Sequence, residues 1–178
     1  MNTCAALAFL VPSRHTAQID SIRVIHDKAH DRWMPHINFL FPFMAENKLP
    51  DVVKRLSVEL SKVPAFVLKL DQIGFFSQKD GNTFHLKATD ESNMVALYNA
   101  VRKALPEFKP QRSEFHAHLT VGQWKKNEQP REMLNTHFNG GIEVLVDKLC
   151  IITRTKDGPF TIHTEISLGV SVEGGFEE

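Results

Sequence analysis

The stretch Phe115-His116-Ala117-His118-Leu119-Thr120-Val121-Gly122-Gln123-Trp124 decides how the rest of the chain is read. With a period of two, Phe115, Ala117, Leu119 and Val121 fall on one side, and His116, His118, Thr120 and Gly122 on the other. An apolar back and a front of two imidazoles and a hydroxyl describe a half-buried strand whose polar side looks at something other than core. The same grammar stands earlier, in Met34-Pro35-His36-Ile37-Asn38-Phe39-Leu40-Phe41-Pro42-Phe43. There Pro35, Ile37, Phe39 and Phe41 share one side, and His36 and Asn38 the other. The pattern histidine, apolar, small polar thus occurs twice, on strand-like segments far apart along the chain.

Working outward, Cys4 to Val11 is a continuous apolar run closed by Pro12, which predicts a central strand. From about Thr16 the period changes: Ile19, Ile22 and Ile25 recur at helical spacing, with Asp20, Arg23 and Asp27 expected on the outer side. After the first histidine strand, Pro50 opens a second helix with Val52, Leu56, Leu60 and Val63 along one stripe. The runs Phe66–Ile73 and Asn82–Ala88 predict two strands joined through Lys79-Asp80-Gly81. Asp90-Glu91-Ser92 caps a third helix with Met94, Leu97, Val101 and Leu105 inward. A short helix is expected over Arg131–Phe138, ended by Gly140-Gly141. Two more strands, Val144–Thr153 and Phe160–Leu168, are joined by a turn at 155–159. The residues after Val170, acidic and glycine-rich, are expected to fray.

The predicted order is β-α-β-α-β-β-α-β-α-β-β, with one histidine strand in each half. It implies an α+β fold, two similar lobes with mainly antiparallel sheets flanked by helices around a central cleft. The chain, 178 residues long, is read as one domain, 1–178, of two intertwined lobes. Lys plus Arg and Asp plus Glu number 21 each, a balance that argues against a protein gripping long duplex nucleic acid through many phosphates. A small ligand or a strand end remains compatible. The cysteines, Cys4 and Cys150, are 2 in number and in no metal-ligand spacing, which points to a reducing compartment, the cytoplasm by default. The apolar N-terminal run is too short to span a bilayer, so no membrane association is expected. No feature calls for an obligate protein partner.

Histidine titrates near neutrality, at about 6.5. Two imidazoles across a cleft can hold different protonation states, one accepting a proton while the other donates. In-line attack at phosphorus suits such a pair, with His36 and His118 as the catalytic candidates. Asn38 and Thr120, two residues beyond each histidine on the same side, could donate hydrogen bonds to non-bridging phosphate oxygens. The scheme needs no metal or other cofactor.

The two segments, His36-Ile37-Asn38-Phe39 and His118-Leu119-Thr120-Val121, resemble the paired His-x-Thr/Ser-x motifs of the 2H phosphoesterase superfamily. Ile19–Arg23, Trp33–Phe43, Phe115–Gln123, Ile152–Phe160 and Ile166–Gly169 look like its 2′-5′ RNA ligase-like, cyclic phosphodiesterase branch. The resemblance implies the bilobal LigT-like fold and metal-independent cleavage of phosphodiesters involving a ribose 2′ oxygen, in 2′,3′-cyclic phosphates or 2′-5′ linkages. A nucleotide or single-stranded RNA end is the implied substrate. Asn38 departs from the motif's Thr or Ser, and an amide can still donate to phosphate.

Further substrate contacts are open for His116, on the His118 side of its strand, for His85 and Lys87, which alternate on one strand, and for Arg154 before the last turn. Trp33, Phe41 and Trp124 flank the motifs and could stack on bases. His15, His26, His30, His137 and His163 have no partner pattern and are read as incidental. Two other functions remain open. His116, His118 and His36 could ligate zinc in a metal hydrolase, or the groove could bind nucleotides or RNA ends without turnover.

Overall fold

A computed structural model describes residues 4–110, 112 and 114–170. Within them the chain runs β1 (Cys4–Leu10), α1 (Ser13–His26), β2 (His36–Leu40), α2 (Leu49–Leu60), β3 (Phe66–Leu70), β4 (Gln72–Gln78) and β5 (Gly81–Lys87). It continues with α3 (Ser92–Ala104), β6 (Leu119–Trp124), α4 (Arg131–Phe138), β7 (Ile142–Val146), β8 (Lys148–Arg154) and β9 (Thr161–Ser167). The tail beyond Val170, expected to fray, lies outside the described residues.

Every ladder is antiparallel, and the α+β class expected from the element order holds. One sheet has the order β2-β1-β8-β9, a second β4-β5-β6, and β3 pairs with β7 alone. The apolar run at the N-terminus is a central strand because both of its sides are covered. Leu7 and Phe9 enter the main core, while Ala6 and Ala8 pack with Ile152 and Phe160 on the opposite side. The main core runs without interruption from β1 and β2 through α2 and α3 to β5 and β6.

Two runs read as single strands are each broken at an aspartate. Phe66–Ile73 divides at Asp71 into β3 and β4, which pair with different partners, β7 and β5. The Asp71 carboxylate accepts the Thr89 backbone N–H at 2.8 Å, so the corner is held by a side chain that gives a strand little. Likewise Val144–Thr153 divides at Asp147, whose carbonyl accepts the Leu168 N–H at 2.8 Å. The hairpin through Lys79-Asp80 forms as expected, with Gln78 opposite Gly81. The Gly140-Gly141 break also forms, both at positive φ, where Gly141 lies hard against the Leu70 carbonyl.

The first helix corrects the expected stripe. Ile25 is 75% exposed and Arg23 is 1% exposed, so the inner side is Ile19, Ile22 and Arg23. Arg23 is buried because each end of its guanidinium is used. Nε donates to Asp27 at 2.9 Å, one terminal nitrogen to Asp20 at 2.8 Å and the other to the Trp33 carbonyl at 2.7 Å. That last bond ties the helix to the loop leading into β2.

The second histidine segment is also shorter as a strand than its alternation suggests. β6 begins at Leu119, opposite Leu86, and residues 115–118 are irregular. The Ala117 N–H donates to the Glu91 carboxylate at 3.3 Å in place of a ladder partner. The alternation survives nonetheless: Ala117, Leu119 and Val121 are buried, while His118 and Thr120 are half-exposed. Among the described residues no helix is long and apolar enough to cross a membrane.

Candidate active site

The strands β2 and β6 are the outer strands of their sheets, and they come within 8 Å of each other, Cα to Cα. Between the two sheets lies a cleft of about 600 Å³, lined by Asn38, Phe41, Pro42, His116, His118 and Thr120 together with Phe76, Tyr98, Phe108, Lys109 and Arg112. Residues of both motifs therefore meet in one depression. His36 stands two residues before Asn38 on the same side of β2, near enough to His118 for that ring's charge to act on it. A separate depression along α4, lined by Gln129, Arg131, Glu132, Asn135, Thr136 and Asn139, holds none of the motif residues.

Both motif histidines are held by the same bond. His36 Nδ1 donates to the Met34 carbonyl at 2.8 Å, and His118 Nδ1 donates to the His116 carbonyl at 3.0 Å. A carbonyl only accepts, so in each ring the Nδ1 carries hydrogen and Nε2 is left to accept or give a proton. The chain supplies this lock through its own backbone, two residues upstream in each case.

The two rings differ in their surroundings. His36 stacks on Trp33, with centroids 4.4 Å apart and planes at 19°. Its burial drives its pKa down from 6.5 to about 4, and the Arg23 and His118 charges push the same way. His118 is also lowered, chiefly by burial, with Arg112 and His116 adding to the effect against the Met34-like bond to the His116 carbonyl. Asn38 Oδ1 is buried and finds no hydrogen-bond partner among the described residues.

The remaining candidates divide. Phe41 is 45% exposed in the cleft wall. Trp33 lies behind His36, boxed by Phe41 at 5.1 Å and Phe160 at 4.0 Å, and so supports the histidine ring rather than presenting a face to the cleft. His116 lines the cleft, but its two ring nitrogens are engaged by Glu91 at 2.8 Å and Glu114 at 3.2 Å. Those carboxylates, Glu91 first, raise its pKa.

Four candidates lie away from the cleft wall. Trp124 is 7% exposed because α1 covers the far half of β6. His26 stacks on its indole at 4.5 Å, and a Cβ on Gly122 would fall 2.7 Å from the His26 Cβ. Thus His26, read as incidental, is the lid of this contact, and a glycine followed by tryptophan on a strand was its trace in the sequence. His85 is 5% exposed, packed behind His118, and Lys87 stays beside it over Gly74. Arg154 spends its guanidinium on the Thr155 and Lys156 carbonyls at 3.3 and 2.9 Å and lies over Phe160.

Sequence reading missed Phe76, Tyr98, Lys109 and Arg112, because they reach the cleft from β4, α3 and the loop before His116 with no pattern linking them to the motifs. Among the described residues no cluster of three or more His, Cys, Asp or Glu is disposed to hold a metal ion. Two locked imidazoles with open Nε2 atoms, backed by an unpartnered amide, can move two protons at a group placed between them.

Comparison with known proteins follows the same lines. A computed structure-to-structure likeness relates the chain to a Thermus thermophilus protein, with 18% identity, a TM-score of 0.66 and 94% of this chain and 98% of that one covered. A crystal structure described as a phosphoesterase gives a TM-score of 0.67 at 17% identity, over 95% and 99% of the two chains. LigT of E. coli, complexed with 3′-AMP, gives 0.63 at 18%, over 93% and 98%. At such identities these likenesses speak for the fold. No curated protein matches the sequence. The family model described as the 2′-5′ RNA ligase superfamily matches residues 11–158, a span that holds both histidine motifs. The chain belongs to the 2′-5′ RNA ligase superfamily, within the 2H phosphoesterases that its paired motifs resemble.

Proposed function

We propose that the protein is a metal-independent phosphodiesterase acting on nucleotide or RNA-end phosphodiesters that involve a ribose 2′ oxygen, as 2′,3′-cyclic phosphates or 2′-5′ linkages. The observation that carries this reading is the shared lock on His36 and His118, which leaves two Nε2 atoms of fixed tautomer on strands that border one cleft. His36, the ring that burial and Trp33 hold neutral, takes the proton of an attacking water. The water oxygen bonds to phosphorus, the bond from phosphorus to the departing ribose oxygen breaks, and that oxygen receives the proton of His118 Nε2. Asn38 and Thr120 hold the non-bridging oxygens, and the two intertwined lobes act as one unit around them. The family match and the binding of 3′-AMP by E. coli LigT support a nucleotide as the ligand.

The test is turnover of a 2′,3′-cyclic nucleotide and a 2′-5′ dinucleotide with a metal chelator present throughout. The wild-type protein is expected to cleave at least one of them. His36→Ala and His118→Ala are each expected to lose roughly 10²–10⁴-fold in kcat, with unchanged far-UV circular dichroism. Wild-type protein that binds these compounds and cleaves none of them is a binding module, and turnover abolished by the chelator makes it a metal hydrolase.

A further inference from the structure

The reaction proposed for His36 and His118 leaves one buried imidazole without a task. His85, in the middle of β5, is 5% exposed. Its ring stacks on Phe76 with centroids 4.6 Å apart and meets the His118 ring edge to face at 5.4 Å and 64°. Phe76 also stands nearly perpendicular to His118, at 5.1 Å and 84°. On the neighbouring strand a Cβ at Gly74 would lie 2.6 Å from His85 Nε2, so the glycine is what lets the ring lie there. The Nδ1 of His85 is buried with no partner among the described residues. A ring nitrogen left so costs stability, and an apolar side chain would fill the space without that cost. A costly ring in contact with a motif histidine points to use of the contact.

We propose that His85 is a positioning residue for His118: with Phe76 it forms a flat-sided slot that keeps the His118 Nδ1 on the His116 carbonyl, Nε2 toward the cleft, and water off the ring's inner side. The proposal rests on His118 being one of the two proton-transfer groups. The charged groups facing this corner are few. Lys87 stands on the same strand as His85, Arg112 lies 5.8 Å over the Phe76 ring, and His116 with Glu91 and Glu114 precedes His118. β4, QIGFFSQ, brings no titratable side chain. Burial, then the His118 and Lys87 charges, lower His85 to about 4, so it is uncharged while His118 titrates and adds shape without charge. Exclusion of water by the slot is consistent with burial being the leading cause that lowers His118.

The experiment is an NMR titration of the His118 ring in the wild type, His85→Ala and Gly74→Ala, beside kcat and KM on a 2′,3′-cyclic nucleotide. In His85→Ala the His118 midpoint is expected to climb toward its ordinary value of about 6.5. There kcat should fall on the order of 10–10²-fold while KM changes little, since a loosened general acid is a defect of orientation. Gly74→Ala touches neither His118 nor the cleft, and its methyl must displace the His85 ring, so it is expected to move both readouts in the same direction. A purely structural His85 would lower the melting temperature and leave the His118 midpoint where it was. An unmoved midpoint with retained kcat in His85→Ala overturns the proposal. If that variant does not fold, His85→Gln, which keeps a polar group and loses the flat faces, decides by the same two outcomes. A wild type that never turns over while its His118 midpoint shifts on substitution overturns the phosphodiesterase reading and leaves the slot standing.

Discussion

At the scale of single residues, the two histidines are chemically alike in their locks and unlike in their burial, and the difference assigns their work. A base must be deprotonated and an acid protonated, so kcat/KM rises with pH through the His36 pKa and falls through that of His118. With His36 near 4 and His118 lowered below 6.5 in the free protein, kcat/KM is expected to peak on the acid side of neutrality. The measurement is kcat/KM across pH 4–9 in a constant-ionic-strength buffer; a profile flat over that range contradicts two-imidazole chemistry. His36, Asn38, His118 and Thr120 were legible in the sequence because period-two alternation and a repeated pattern are both local signals. His85 was misplaced for a physical reason. Its period-two position is right, but exposure on a strand depends on what the neighbouring strand lays over it, here Phe76 and the gap at Gly74.

At the scale of elements, α1 links the halves of the cleft. Its buried Arg23 holds the loop carrying Trp33, the support of His36, and its last turn covers Gly122 and Trp124 at the far end of β6. Gln123 extends the junction, accepting the Lys28 N–H at 2.9 Å and donating to Asp27 at 3.2 Å. Arg23→Ala removes one partner from a fully used buried network and leaves the Asp27 carboxylate, 3% exposed, without its cation. A loss of about 3–5 kcal/mol is expected by denaturant melting, together with weaker turnover through the unsupported Trp33. Stability within 1 kcal/mol of wild type, on the order of a surface pair, would show the network to be dispensable. Helical spacing alone placed Arg23 outside, because a charged residue on a helix is normally solvated. Its inward turn follows from acceptors that the sequence spreads over residues 20, 27 and 33.

For the molecule as a whole, His36 and His85 together make acid the weak side of its stability. Both have folded-state values near 4 against about 6.5 in an unfolded chain, so the unfolded chain binds more protons between those limits. The stabilisation is therefore complete above about pH 6.5 and is lost as pH falls toward 4, at roughly 1.4 kcal/mol per pH unit for each ring. Melting temperatures at pH 7.5, 6, 5 and 4.5 are expected to fall in that order, and the fall should be shallower in a His85→Phe variant. The bilobal architecture itself was readable from the order of elements. The splits at Asp71 and Asp147 were not, since which strands pair is decided by long-range partners. That each motif strand is outermost in its sheet has a consequence for self-association. A bare strand margin ordinarily invites another polypeptide to add itself by main-chain bonding. Here β2 and β6 turn their margins toward one another, so the same crevice that admits a slender ligand leaves no berth for a second folded chain.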